Sequence, residues 1–356
     1  MPVINMRSSA HKIKGQGVGS CYEEQVRLVT EGLPSEYTIY VNKNKPCDIT
    51  HYHTVNFDYY LHRLIHRRRT TGIGYVHFLP DTLEDSLELP FLAKTVFNKY
   101  LLFFYNSMDF LVTVNPAIIQ KLYAYGVKRP KIIYIPNYVS TLKFCEQKSG
   151  YIATVKKKYQ IPQDKFVVMG AGQLQTRKGI SDFVETAKLL PDIQFIWAGG
   201  FSFGKISDGY KNIKQIRNDP PGNVKFLGII DRERMSDIYN MADIFFLPSF
   251  DELFPMSILE AMCCRKPVLL RDINVYKDIL FENYLKADTP ENFAAQIILL
   301  RNDESLLEYW REKSWTCREI YSEEHVIKKW QSLYEEAYNW TKFKSMLKFK
   351  RNRTRA

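Results

Sequence analysis

The sequence contains no uncharged apolar run of the roughly 18 residues that a helix needs to cross a bilayer. Its six cysteines include no CxxC pair and no Cys/His spacing typical of zinc, so neither a structural metal nor a disulfide framework is indicated. The first residues lack the basic and then apolar pattern of a secretory signal. We therefore expect a reduced, cytoplasmic protein that meets a membrane only as a peripheral protein on its inner face.

Acidic residues are in short supply, because 39 Asp and Glu stand against 50 Lys and Arg, giving a formal net charge of +11. This excess points to an anionic partner, either nucleic acid, a nucleotide or an anionic membrane surface. The basic tail, residues 342–356, holds seven of these cations and no acid, interleaved with Phe343, Met346, Leu347 and Phe349. It is either a frayed, solvated end or a segment attracted to anionic lipid. No RNA or DNA motif is present, so we expect no nucleic-acid partner.

Strand-like and helix-like patterns alternate through both halves of the 356-residue chain, which is long enough for two domains of ordinary size. Alternation of this kind indicates parallel sheets joined by right-handed crossovers. The sequence therefore predicts an α/β protein with two Rossmann-like domains that face each other across a cleft. We place the first domain at residues 1–145 and the second at 160–324, with a polar, lysine-rich linker between them.

Two apolar runs of strand type, residues 244–249 and 268–270, flank a short acidic loop and a helix at residues 256–263. Glu252 lies in the loop and Glu260 in the helix, so both carboxylates are expected to face one crevice beyond the sheet. Carboxylates accept hydrogen bonds from sugar and ribose hydroxyls, as a nucleotide sugar requires. The alternative is a chance pair in which Glu252 merely favours the helix dipole.

Groups suited to a diphosphate stand on both sides of this crevice. A strand at residues 166–169 leads through a glycine-containing turn to a loop with Arg177 and Lys178, which is either an ordinary surface loop or a phosphate clamp. The start of the helix after Glu252 offers backbone groups for the same anion. The residues assigned to that helix start are Phe254, Pro255, Met256 and Ser257.

Three further segments carry candidate functional groups. A glycine-rich stretch, KGQGVGS at residues 14–20, follows the first strand and precedes a helix expected from about Ser20; as a plain turn it needs no ligand. His51, His53 and His77 stand at strand ends, where packing or substrate hydrogen bonding is favoured over zinc. Residues 87–110 are rich in Phe, Tyr and Leu, which indicates either a core helix or a surface that contacts lipid.

These motifs resemble the retaining glycosyltransferase family 4, which has the GT-B fold, and within it the bacterial synthases of glycosyl-diacylglycerols. The resemblance spans nearly the whole chain and is carried by KGQGVGS, the Arg177-Lys178-Gly179 loop, the Glu-x7-Glu pair and VLLRDI at residues 268–273. Pro255 replaces the usual glycine of the family.

The resemblance implies transfer of glucose or galactose from a UDP-sugar to a membrane lipid such as diacylglycerol or monoglycosyl-diacylglycerol, without a metal or other cofactor. A polysaccharide or other soluble acceptor is the alternative. It also implies that a C-terminal helix at about 325–341 crosses back to the first domain. The implied catalytic residues are His77, Arg177, Lys178 and Glu252. The implied donor-binding residues are Gly17, Gly228, Ile229, Phe254, Pro255, Met256, Ser257 and Glu260.

Overall fold

The computed structural model describes residues 1–10, 17–80, 90–202, 204 and 207–353. In its first half a six-stranded parallel sheet has the order β2-β1-β3-β4-β5-β6. The strands are β1 (Val3–Arg7), β2 (Thr38–Val41), β3 (Ile49–Tyr52), β4 (Thr71–Val76), β5 (Phe110–Thr113) and β6 (Lys131–Tyr134). The helices between them are α1 (Gly17–Gly32), α2 (Phe57–His66), α3 (Phe91–Asn106) and α4 (Ala117–Ala124).

The second half contains another six-stranded parallel sheet, with the order β12-β11-β10-β7-β8-β9. Its strands are β7 (Val167–Ala171), β8 (Gln194–Ala198), β9 (Val224–Gly228), β10 (Ile244–Leu247), β11 (Val268–Arg271) and β12 (Leu285–Ala287). The accompanying helices are α5 (Ser149–Lys158), α6 (Ile180–Leu189), α7 (Tyr210–Asn218), α8 (Arg232–Asn240), α9 (Met256–Cys263), α10 (Lys277–Leu280), α11 (Pro290–Asn302) and α12 (Glu304–Glu319). The predicted fold class, two Rossmann-like domains, is confirmed.

Apolar runs in the sequence become the central strands of both sheets. Every residue of β7 and of β10 is buried, as expected for parallel strands covered by helices on both faces. Close packing explains Gly170 in β7, because a Cβ there would lie 2.4 Å from the Trp197 ring. Side-chain caps start the later helices: Thr289 accepts the Asn292 N–H at 3.3 Å, and Asp303 accepts the Leu306 N–H at 3.0 Å.

The last helix, α13 (Glu323–Arg353), packs against α1, β3 and β4 of the first half. The Thr341 hydroxyl lies 2.7 Å from the Thr71 hydroxyl and donates to the Asp48 carbonyl at 2.9 Å. Within the described part of the chain, no helix is long and apolar enough to span a membrane.

Three local features differ from the sequence-based expectations. The polar linker contains helix α5 rather than only loop. Residues 342–353 of the basic tail continue α13 without a break. Helix α1 begins at Gly17, so Gly17 and Gly19 belong to the helix rather than to the turn before it, while Gly15 lies outside the described residues.

Candidate active site

The cleft lies where the carboxyl ends of strands from both sheets meet. Two asparagines that lie two and three residues beyond strands β5 and β6 of the first sheet hold the loop between β10 and α9. Asn115 donates to the carbonyls of Leu253 and Val275, both at 2.9 Å, and Asn137 donates to the Phe254 carbonyl at 2.9 Å. The two carbonyls next in sequence to Glu252 are therefore held by the first domain.

Arg177 and Lys178 lie in a short 3-10 turn, Thr176–Lys178, immediately before α6. The turn ends at Gly179, whose φ of 70° is in the left-handed region, and a Cβ at this position would lie 2.2 Å from the Pro248 carbonyl oxygen. Only glycine fits this backbone without strain. The cations are thereby fixed beside the end of β10.

The structure brings both of these cations to Glu252. The Lys178 ammonium donates to Glu252 Oε1, and the Arg177 guanidinium lies 3.7 Å from Oε2 while donating to the Asp251 carbonyl at 3.2 Å. Glu252 is only 6% exposed and Lys178 only 7%. The cations predicted to bind the diphosphate therefore lie next to the carboxylate predicted to bind the sugar. A nucleotide sugar requires this arrangement, because its sugar is bonded directly to its diphosphate.

Burial and charge act in opposite directions on this pair. Burial lowers the pKa of Lys178, and the Glu252 carboxylate only partly offsets this effect. Burial alone would raise the pKa of Glu252, but Lys178 and Arg177 outweigh it, so the pKa of this carboxyl lies below its ordinary value. Glu252 is therefore ionised at neutral pH and can act as a hydrogen-bond acceptor.

Helix α9 begins at Met256, directly after Pro255, which is extended with φ −68° and ψ 134°. Proline has no N–H, so the backbone donors of this segment belong to Phe254, Met256 and Ser257. The Phe254 side chain is buried against Tyr321, with ring centroids 4.9 Å apart.

Glu260 is part of an ion network that joins the two domains. Its Oε1 accepts from Arg232 at 2.5 Å and its Oε2 accepts from the Tyr239 hydroxyl at 2.7 Å. The same Arg232 donates to Glu24 of α1 at 2.9 Å. Two oxygens offer about four acceptor positions, so the predicted contact with a ribose is compatible with these bonds and stays a prediction.

Gly228 and Ile229 lie at the carboxyl end of β9. Gly228 has φ 75°, a conformation that favours glycine, and its carbonyl accepts the Gly199 N–H at 2.8 Å. The Ile229 side chain is 46% exposed and lies beside Gly200. An exposed apolar side chain in this position suits contact with a flat base, as the family resemblance implies.

His77 follows β4 and stacks on Tyr75, with ring centroids 4.3 Å apart and an angle of 9° between the rings. Burial lowers the pKa of His77 to about 3, so the imidazole is neutral at physiological pH. His51 and His53 are fully buried below it and form part of the same aromatic cluster. Considering only residues that the structure describes, no group of three or more His, Cys, Asp or Glu side chains is placed to hold a metal ion.

The remaining predicted positions, Gly17 and the aromatic segment, make none of the site contacts described above. Gly17 faces open space, because a Cβ there would meet no atom within 4 Å. The aromatic segment satisfies both interpretations: in α3, Phe104 and Tyr105 are fully buried, whereas Leu92, Val96 and Phe103 are exposed.

Sequence reasoning assigned no role in the site to Arg232, Tyr239, Glu24, Asn115 or Asn137. A signal was available for the two asparagines, since each stands just beyond a strand, where parallel sheets place functional side chains. Nothing comparable marks Arg232, because the helix that it begins, RERMSDIYN, is composed mostly of polar residue types and carries no motif.

Comparison with known proteins assigns this site to a family. Residues 152–315 match the family described as glycosyl transferases group 1. Over 333 residues the sequence is 44% identical to the alpha-galactosylglucosyldiacylglycerol synthase of Streptococcus pneumoniae, covering 94% of this chain and 89% of that protein. The chain belongs to the group 1 glycosyltransferases. The predicted resemblance to bacterial glycolipid synthases is confirmed.

Two further comparisons are consistent with this assignment. The glycosyltransferase is 28% identical to the processive diacylglycerol alpha-glucosyltransferase of Acholeplasma laidlawii, over 83% of this chain and 87% of the relative. Anabaena HepE, solved in complex with UDP and glucose, superposes with a TM-score of 0.75 at 14% identity, covering 94% of this chain and 99% of that one. The structural likeness confirms the predicted GT-B fold.

Proposed function

We propose that this glycosyltransferase transfers glucose or galactose from a UDP-sugar to a lipid acceptor, diacylglycerol or monoglycosyl-diacylglycerol, with retention of configuration and without a metal ion. The observation that carries the proposal is the 44% identity, over 94% of the chain, to a protein named as an alpha-galactosylglucosyldiacylglycerol synthase. The UDP bound in the structural neighbour supports UDP as the nucleotide of the donor.

The ion cluster at the cleft suits the leaving group of this reaction. As the bond between the anomeric carbon and the diphosphate oxygen breaks, its electron pair leaves with UDP, and negative charge grows on the β-phosphate. Arg177 and Lys178 are preorganised to stabilise that charge. The acceptor hydroxyl oxygen forms the new bond on the same face of the sugar, and its proton passes to the departing phosphate oxygen. No protein nucleophile is required.

The other site residues position the donor in this scheme. Glu252 accepts hydrogen bonds from hydroxyls of the transferred sugar, while Glu260, oriented by Arg232 and Tyr239, accepts from the ribose. His77 is neutral because of its burial, so it contacts the sugar as an uncharged hydrogen-bonding group.

Exposed apolar side chains on the first domain support a lipid acceptor at the inner face of the membrane. They form one face of α2, with Phe57, Leu61 and Ile65, and one face of α3, with Leu92 and Val96. Both helices have one end at the cleft, because α2 follows the carboxyl end of β3 and α3 leads into β5. An amphipathic surface in this position can rest on the bilayer that supplies the acceptor.

The experiment that tests this function is release of UDP by the purified protein, with UDP-glucose or UDP-galactose and vesicles that contain diacylglycerol, glucosyl-diacylglycerol or no acceptor. We expect turnover that requires one sugar donor and one of the two lipids. Equal release on vesicles with and without acceptor, or transfer to a soluble polysaccharide instead, would contradict the lipid assignment.

A further inference from the structure

A cavity of about 880 Å³ lies on the first domain, away from the cleft. It is lined by residues of α2, α3 and α13 and by the residues at the starts of β5 and β6, including Asp109, Phe110 and Lys131. In a parallel sheet all strands point the same way, and the carboxyl ends of these strands face the cleft. The cavity is therefore at the opposite, amino-terminal edge of the sheet, and the proposed transfer reaction does not use it.

The lining of this cavity is strongly cationic. It contains five Arg or Lys side chains but only two carboxylates, those of Asp109 and Glu336. Both carboxylates are already neutralised: Asp109 accepts from Arg63 and from Lys344, each at 2.7 Å, and Glu336 from Lys131 at 2.8 Å. The positive charge of the remaining lining is therefore not cancelled within the cavity.

Three cations of the lining, Arg67, Lys128 and Arg129, form no ion pair with any residue that the structure describes. They are exposed and come from two separate elements, the end of α2 and the turn before β6. Converging cations of this kind, with Arg able to offer a planar fork, bind phosphate oxygens.

Apolar side chains stand beside these cations. Leu64, Phe103 and Trp340 line the same cavity and are 36%, 64% and 42% exposed. Leu64 and Phe103 also continue the exposed faces of α2 and α3 that begin at the cleft. One apolar surface thus extends from the cleft to the cavity. The cations of the cavity lie at the far end of this surface.

We propose that this cavity binds the phosphate headgroup of an anionic phospholipid, with the acyl chains of that lipid against Leu64, Phe103 and Trp340. The proposal rests on the proposed function for the presence of a bilayer at α2 and α3. A phospholipid matches both parts of the lining, the cations by its phosphate and the apolar rim by its chains. A single-stranded nucleic acid could pair its phosphates with the cations and stack bases on Phe103 and Trp340, but it offers no partner for the apolar faces of α2 and α3 that lead to the cavity.

Occupation of this site would fix how the protein lies on the membrane. The headgroup site and the entrance to the cleft are at opposite ends of α2 and α3, so two points of the same face would be held at the bilayer. The protein could then not rotate about a single attachment point on the membrane. The cleft would stay open toward the lipid acceptor.

The test compares the full-length protein with a triple variant, Arg67→Gln, Lys128→Gln and Arg129→Gln. Vesicle binding is measured by flotation on phosphatidylcholine alone and on phosphatidylcholine with phosphatidylglycerol. The matched control is Lys156→Gln, Lys157→Gln and Lys158→Gln in α5, which removes the same charge from the second half of the chain. We expect the cavity variant to lose affinity for the anionic vesicles by about tenfold or more, whereas the control keeps most of it.

Equal losses of vesicle affinity in the two triple variants would overturn the proposal. They would show that the membrane attracts the protein through its net charge alone, wherever the cations lie.

Glycerophosphate is added as a soluble competitor to distinguish a lipid from a free phosphate. We expect it not to displace the protein from anionic vesicles, and Phe103→Ser to weaken vesicle binding. Displacement by glycerophosphate, or a cavity variant that loses RNA binding but keeps vesicle binding, would refute a lipid occupant.

The chemistry is measured separately, as UDP release with a short-chain acceptor lipid dispersed in detergent. There the cavity variant should turn over as the unmodified protein does, because the cavity is remote from the cleft. An unmodified protein that is inactive in this assay but binds anionic vesicles through the cavity would reject the proposed function and leave the headgroup site in place.

Discussion

Lys178 and Glu252 form an ion pair that is almost withdrawn from water at the carboxyl end of β10. The removal of two charges from solvent is costly, and the attraction between them often fails to recover that cost. A pair of this kind therefore contributes little to folding compared with apolar side chains of the same volume. In the proposed reaction the pair holds a cation rigidly in the cleft before substrate arrives, so that no reorganisation is needed when charge develops.

We predict that Lys178→Ala lowers kcat at least about a hundredfold, because one preorganised donor to the leaving diphosphate is lost. UDP release at saturating donor measures it. The control is Lys188→Ala, whose exposed ammonium pairs with Glu185 on the same helix and, among the residues that the structure describes, with no other carboxylate. Near-normal turnover in the Lys178 variant would contradict the site assignment.

The Lys178→Ala variant also leaves Glu252 buried without its main partner, at a cost of about 3–5 kcal/mol in stability. Its thermal melt is therefore compared with that of Arg177→Gln. Arg177 is the more exposed of the two cations, at 19% of its side chain. A loss of turnover in Arg177→Gln with an unchanged melt would separate catalysis from folding.

The residues of this cluster could be found from the sequence because they lie in local patterns, a strand end followed by a charged loop. Arg232 could not be found in this way, since its partner Glu24 is 208 positions distant. The packing of the two domains against each other determines which residues form such a pair. A short sequence pattern contains no information about that packing.

Strand β3 and helix α13 enclose a histidine that stays neutral. His51 is fully buried, its Nδ1 lies 3.2 Å from the Tyr334 hydroxyl, and its ring centroid lies 5.2 Å from that of Trp330. Burial lowers the pKa of His51 from 6.5 to about 3, with a smaller contribution from His77. The contact between the first sheet and the last helix therefore depends on an unprotonated imidazole.

From this we predict that stability falls as the solution becomes acidic below pH 6.5. The unfolded chain binds a proton at His51 between pH 6.5 and 3 and the folded chain does not, so stability is fully present above 6.5. At pH 5.5 the loss from this one residue is about 1.4 kcal/mol. Urea unfolding at pH 7.5 and 5.5 measures it, and His51→Gln should reduce the difference by that amount; an unaltered difference would count against this origin.

Among the helices and strands, the sequence predicts correctly the positions of those that consist of buried, continuous apolar runs. Helix α9 and strands β7 and β10 lie close to their predicted positions. The edge strand β2 was not predicted, because its four residues are only partly buried and its pattern is weak. Helix α5 buries only Val155, so its segment resembles a linker. The extent of α13 was underestimated: the predicted helix ended at about residue 341 and α13 continues to Arg353, although the absence of Gly and Pro from residue 323 onward was a signal that nothing stops the helix.

Across the whole molecule, Arg232 is one of the residues that join the cleft to the first domain. It holds Glu260 and Glu24 at once, and its guanidinium carbon lies 5.2 Å from the centre of the Phe144 ring. Burial alone would lower the pKa of Arg232, but Glu260 and Glu24 raise it above its ordinary value, so this cation is permanent. If Glu260 holds the ribose as proposed, donor binding and the arrangement of the two domains are coupled through this residue.

We predict that Arg232→Met weakens UDP binding about tenfold, because Glu260 loses the contact that orients it, and lowers stability by about 3 kcal/mol. Calorimetric titration with UDP and urea unfolding measure the two effects. Arg234→Met is the matched control, since the one ion pair that Arg234 forms within the described part of the chain is with Asp237 of its own helix. Partial recovery of UDP affinity in Arg232→Lys would support positioning, and unchanged affinity in Arg232→Met would refute the coupling.

The hydrogen bonds from Asn115 and Asn137 to the loop after β10 affect whether the second half of this enzyme can be combined with a different first half. Because the first domain fixes the carbonyls of Leu253 and Phe254, the second half carries the sequence of the proposed donor site but not the whole of its shape. A chimera that joins this second half to the first half of a relative will inherit sugar specificity only if that relative places side-chain donors at the same two strand ends. Active chimeras are therefore expected only from relatives that share this feature.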